Sequence, residues 1–255
     1  GEYKDGGDGC PGQAAIFNIT SAKWVIIHNT TVTSNGGTGN DGQTGGCAAV
    51  SGCTGGDGGD GGASMSVIRA NSFVNISNSS FQIKGGTAGL GATCNSGSCA
   101  DPCCGGSGGT GGNNIGSTGI NRGGNFSIYA NWTEIRNSGI RVEGGGGGSG
   151  QQQGGSGGSG QQAYFNLISN GSQTTNFFTY ATIISIGGTG GSGGGSGSCG
   201  GGGSGSIANS YATFRGWNIF FANNSRNVIN LTQSGSGTAS QKTEVHIFAN
   251  NTLEL

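Results

Sequence analysis

Charge is what this sequence has least of. Only 8% of its 255 residues are Asp, Glu, Lys or Arg, the formal net charge is −1, and no stretch is basic. That leaves no electrostatic footprint for nucleic-acid binding. Two prolines in the whole chain exclude a collagen triple helix, which needs abundant proline beside glycine at every third place. No apolar run approaches the roughly 18 residues of a membrane-spanning helix. Neither a signal peptide nor an initiator Met is present, so the chain is expected to be a processed product or an excised window. The two histidines, His28 and His246, stand far apart, and no Ser-His-Asp order, phosphate loop or nucleophile elbow is visible.

What is abundant is glycine, 62 residues, more than three times its usual share. Disorder does not follow, because "KWVIIH", "FFTYATIISI" and "WNIFFANN" recur at intervals, and disordered chains are poor in such residues. A nine-residue phrase repeats as well: "NSSFQIKGG" at 78–86, "NSGIRVEGG" at 137–145 and a looser "NTTVTSNGG" at 29–37. With its first residue as marker, the series runs Asn29, Asn78, Asn137, Tyr180, Arg226 and Asn250. Each marker is followed by small or polar residues and then an apolar-x-apolar pair, as in Phe81 and Ile83, Ile140 and Val142, or Leu253 and Leu255. Such alternation is the period of a strand with one buried face. The first copy has only Val32 of its pair, and the fourth, "YATIISI", reads as shifted by one residue.

Marker intervals are 49, 59, 43, 46 and 24 residues, and every long one contains a glycine tract. Without the tracts each interval collapses toward about two dozen residues, one coil of a parallel β-helix stacked at about 4.8 Å on the next. The expected fold is therefore all-β: one repeat domain over 1–255, a parallel β-helix of about six coils with glycine-rich inserts. Solenoid strands are expected near 13–35, 63–84, 124–143, 161–186, 207–233 and 241–255, with inserts near 36–62, 85–123, 144–160 and 187–206.

The tracts, such as "GGDGGDGGA" and "GGTGGSGGGSGS", have a period of three that a flexible linker does not need. Threefold periodicity with almost no side chains suits polyglycine II, the polyproline II conformation without proline, hydrogen-bonded side to side in a bundle. Each tract is expected to run out from the solenoid and back. All eight cysteines, Cys10, Cys47, Cys53, Cys94, Cys99, Cys103, Cys104 and Cys199, fall in or beside these tracts, which suits four disulfides and an oxidising compartment. Zinc is disfavoured by the spacing and by the distant histidines, calcium by the absence of a true nonapeptide repeat, so no metal or cofactor is expected.

Ten asparagines are followed two places on by Ser or Thr: Asn18, Asn29, Asn75, Asn78, Asn125, Asn131, Asn170, Asn223, Asn230 and Asn250. With 25 asparagines in a chain about one-fifth Ser plus Thr, chance gives about five such sequons, so glycosylation is expected at several. The competing role is at the coil corners, where asparagine amides stack and the left-handed backbone is tolerated.

In these patterns the strand units resemble the right-handed parallel β-helix of pectate-lyase-like and surface-adhesin proteins. The cysteine-bearing tracts, including "DGCPG" and "GGDGGDGG", resemble the polyglycine II bundles of the snow-flea antifreeze protein and of phage tail-tip adhesins. The first resemblance implies the solenoid. The second implies ice binding if one face is flat and regular in small residues, or receptor binding through loop tips. An enzyme of the β-helix kind would gather acids and bases on one face. The candidates Glu134, Glu143, Glu244 and Glu254, with Arg136, Arg141 and Lys84, read instead as solvated strand faces, and no catalysis is expected.

Joining Leu255 to Gly1 gives "LELGEYKDGG", in phase with "IRVEGGGGG". Uncapped coil ends template association. The expected function is a secreted structural glycoprotein, extracellular or at the cell surface. It would stack end to end into a homopolymeric filament through Ile16, Ile19, Trp24 and Ile27 on the first coil and Val245, Ile247, Leu253 and Leu255 on the last. The alternative is an adhesin or ice-binding module acting through the glycine-bundle face.

Overall fold

The computed structural model describes residues 7–44, 55–92, 122–150, 155–171, 173–194, 204–222, 226–233 and 242–255. Among these every regular element is a strand, and every strand pairing is parallel. The chain winds through rungs of three strands: β1 (Ala15–Ser21), β2 (Trp24–His28) and β3 (Thr31–Asn35); then β4 (Ser64–Ala70), β5 (Phe73–Ser77) and β6 (Ser80–Lys84). The third and fourth rungs are β7 (Arg122–Tyr129), β8 (Trp132–Arg136) and β9 (Gly139–Glu143), then β10 (Gln162–Ile168), β11 (Thr175–Thr179) and β12 (Thr182–Gly187). In the fifth the first two sides fuse into one long strand, β13 (Ser210–Phe221), followed by β14 (Val228–Gln233), and β15 (Thr243–Glu254) pairs along β13. The result is a ten-stranded sheet and a five-stranded sheet, β14-β12-β9-β6-β3, wrapped into a solenoid-like body.

Register places like over like. On the first side the inward column runs Ile19, Ile68, Ile128, Leu167, Phe214, Ile247. Its neighbour runs Phe17, Ser66, Phe126, Phe165, Ala212, Val245. On the third side Val32, Phe81, Ile140, Ile183 and Ile229 stack. The core is rich in phenylalanine: Phe81 and Phe126 lie 5.1 Å apart between ring centroids, Phe165 and Phe214 5.4 Å, and Phe178 and Phe221 4.7 Å. Rings that meet across rungs stabilise by about 0.5–1.5 kcal/mol beyond the area they bury.

Two expectations are corrected here. The fourth phrase is not shifted: Ile183 pairs with Ile140 and Ser185 with Val142. Ser185 takes an inward apolar place because its hydroxyl donates across the interior to the Ala163 carbonyl, 3.4 Å. Ser34 does the same in the first copy, facing the Ser64 hydroxyl at 2.9 Å. Asn250 is not a corner marker either. It lies within β15, where Leu253 pairs with Ile219 on the second side, so the last rung comprises two sides and the joined phrase "LELGEYKDGG" falls out of phase.

The true corners carry the phrase. Asn29, Asn78, Asn137 and Tyr180 have φ of 50°, 47°, 45° and 49°, the left-handed turn that aims β3, β6, β9 and β12 along the third side. Asparagine tolerates this backbone better than most residues, and Tyr180 adopts it because the rungs on either side dictate the turn. The residue after each asparagine marker runs a hydroxyl ladder. Thr30, Ser79 and Ser138 each donate to the carbonyl two residues back, at 2.9, 2.8 and 2.6 Å. The Ser79 oxygen also accepts the Thr30 amide (3.2 Å) and the Ser138 oxygen the Ser79 amide (3.1 Å). The expected stack of asparagine amides is thus replaced by stacked hydroxyls, and Asn29, Asn78 and Asn137 stay exposed.

Beyond β3, β6, β9 and β12 the glycine segments prolong the sheet's hydrogen bonding in steps of three. Gly36, Gly39 and Gly42 donate to Lys84, Thr87 and Leu90, and Gly144, Gly147 and Gly150 to Ile186, Thr189 and Ser192. Segments returning toward the first side form a second layer, in which Gly9, Gly12 and Ala15 donate to Asp57, Asp60 and Ala63. Antiparallel bonds join the layers: Gly56, Gly59 and Gly62 donate to Gln43, Asn40 and Gly37, and Gly188, Gly191 and Gly194 to Gln161, Gly158 and Gly155. Only glycine permits this approach, since a β-carbon on Gly39 would stand 2.0 Å from the Gly59 carbonyl oxygen of the other layer.

Candidate functional site

Three surfaces of the described residues are candidates: the ends of the stack, the outward strand faces, and the glycine layers. At one end Val245, Ile247 and Leu253 continue inward columns, and Val245 and Leu253 are 45% and 44% exposed; Leu255 beyond them is 74% exposed. At the other end Ile19 and Ile27 face inward, packed with Phe17 and Val25. Ile16 and Trp24 do not belong to that inward set. They alternate with Phe17 and Val25, so strand periodicity turns them to the lateral face, where they are 60% and 58% exposed.

The lateral face of β2, β5 and β8 carries a column that the sequence reading missed: Trp24, Phe73 and Trp132 in register, with Trp132 52% exposed and its ring edge-on to Phe73 at 6.1 Å. Ile26, 59% exposed, lies beside it. Exposed apolar residues at outward strand positions were the available signal, masked because the same letters also read as core.

The charged residues separate rather than converge. Glu134 and Arg136 pair on β8, with Asn75 Nδ2 donating to Glu134 Oε2 at 3.1 Å. Arg141 and Glu143 pair on β9, across the Asn137 corner in the other sheet, with Lys84 Nζ 3.7 Å from Glu143. Glu244 lies 3.1 Å from His246 and 3.8 Å from Lys242 on β15, and Glu254 is near its end. Each of the first three acids is held by a neighbouring base on an open strand face, an arrangement worth little energy. His28 hydrogen-bonds Ser77 at 2.9 Å. No three His, Cys, Asp or Glu side chains gather among the described residues. No helix there is long and apolar enough to cross a membrane.

Of the sequon asparagines, Asn18, Asn29, Asn78, Asn131, Asn170, Asn230 and Asn250 are exposed. Asn75 is half-buried, while Asn125 is 5% exposed, with its Oδ1 accepting from the Ser127 hydroxyl. Asn223 lies outside the described residues, as do Cys47, Cys53, Cys94, Cys99, Cys103, Cys104 and Cys199; Cys10 is exposed. Beside Asn131 a shallow cleft of about 300 Å³ is lined by Arg69, Asn71, Tyr129 and Asn170, with the Arg69 guanidinium 4.9 Å above the Tyr129 ring.

The chain matches no protein-family model, no curated protein and no solved structure.

Proposed function

We propose that the chain is a secreted structural glycoprotein without catalytic activity: a parallel β-helix carrying layers of polyglycine II, which stacks end to end into an extracellular filament. The observation that carries this reading is the exposure of Val245 and Leu253 in phase with fully buried columns. A second copy placed there would set Phe17, Ile19 and Val25 beneath Val245, Ile247 and Leu253, each meeting the kind of neighbour it has inside the protomer. Burial of such an end contributes on the order of 25 cal/mol per Å² of apolar area and pairs strand edges.

Electron microscopy of the purified chain tests this. Filaments with an axial repeat of roughly 30 Å, six rungs at strand spacing, are expected. Replacing Leu253 and Leu255 by Lys should stop growth while leaving the protomer folded. Monomers at high concentration, or unchanged filaments from the double variant, would overturn the reading.

The alternative of an ice-binding or adhesive face has one observation in its favour. Thr87, Gly146 and Thr189 form a column on the glycine layer that continues the third side, since a β-carbon on Gly146 would lie 3.1 Å from Thr189 Oγ1 and 3.5 Å from Thr87 Cγ2. Thermal hysteresis of the monomer, lost on Thr87→Tyr, would favour that reading over the filament.

A further inference from the structure

We infer that Asn131 carries a glycan whose first sugar rings lie along the Trp132–Phe73–Trp24 column. This rests on the glycoprotein reading above and adds to it one attachment point and one path. Asn131 is exposed at the corner between β7 and β8, and the next residue, Trp132, begins the column. From Trp132 the rings of Phe73 and Trp24 follow on the next two rungs in register. In the opposite direction the same column continues as Thr175 and Asn218, which offer no ring.

The span from Trp132 to Trp24 is two rungs, roughly 10 Å, the length of about two pyranose rings. An aromatic face is electron-rich and attracts the polarised C–H bonds of a sugar's apolar face. Exposed rings in a contiguous row otherwise signal a surface that something covers. The tether decides the occupant: a glycan on Asn131 starts one residue from the column, at an effective concentration no free ligand matches. Exposed side chains able to hydrogen-bond its hydroxyls flank the path at the corner, Lys23 and Asn71.

The chemistry is ordinary amide glycosylation. Asn131 Nδ2 forms a bond to the anomeric carbon of a lipid-pyrophosphate-linked oligosaccharide, the anomeric C–O bond breaks, the amide loses one proton, and the lipid pyrophosphate leaves. Thr133, the third sequon residue, is inward and 1% exposed, so transfer precedes closure of the third rung.

The test uses the full chain from a glycosylating host. Peptide mass spectrometry should find Asn131 occupied. In that protein Trp24→Ala, an outward substitution, should lower Tm by several degrees, and the shift should largely vanish in the Asn131→Gln background. Enzymatic glycan removal should raise acrylamide quenching of tryptophan fluorescence severalfold. If Asn131 is bare while Asn29 or Asn78 is occupied, this inference falls and the glycoprotein reading stands; if every sequon is bare, both fall. An occupied Asn131 whose effect adds independently to Trp24→Ala, or couples to Tyr129→Ala in the adjoining cleft instead, overturns the path. Protection of the tryptophans that appears only at high protein concentration would assign the face to a second copy.

Discussion

At the scale of single residues, the corner is a two-residue device: a marker in the left-handed region followed by a hydroxyl that bonds both its own chain and the next rung. The two parts fail differently. Asn137→Gly should be tolerated, whereas Asn137→Ala places a β-carbon in an unfavourable backbone and should cost about 1–2 kcal/mol. Ser138→Ala leaves the Ser79 amide without its acceptor and should cost about 1–3 kcal/mol. Urea denaturation of the three variants checks the order. The marker was legible in the sequence because asparagine recurs there. Its partner's role was not, since Ser138 and Ser79 are 59 residues apart and only the stacked rungs bring them together.

At the scale of elements, alternation located the strands and even the vertical pairing of Phe81 with Ile140. It failed where an inward place is held by serine. Ser34 and Ser185 look like register errors until their cross-interior hydrogen bonds are seen. It failed again where apolar residues face outward, as with Ile16 and Trp24, because letter type alone does not distinguish a wet row from a dry one. The interior rows differ in what they can lose. Phe126 is fully buried between Phe81 and Phe165, so Phe126→Ala should cost about 3–5 kcal/mol in chemical denaturation. The threefold glycine period was legible, and it appears as hydrogen bonds at every third residue. Those amides should resist hydrogen exchange. Gly39→Ala should release protection at Gly59 and Gly89 while the strand amides of β5 and β8 keep theirs, because the added carbon parts only the layers.

At the scale of the molecule, the surface proposed to join copies is apolar in a chain that is only 8% charged. Assembly should therefore persist in about 1 M salt, where the Debye length is near 3 Å and charge attraction is screened. Sedimentation across a salt series measures this, and dissolution at high salt would point to Glu244, His246 and Lys242 as the joining groups instead.

The shared spacing of strands and glycine segments also sets a rule for change in length. Outgoing and returning segments of a coil are tied to each other and to their neighbours at every third residue, and the strands register independently of how far those segments extend. A coil can thus widen its slab by three residues on each side, six in all, and keep every bond in phase. An insertion of one or two residues would rotate side chains into positions where only hydrogen fits. The breadth of the molecule is adjustable in discrete increments while its strand rungs stay fixed.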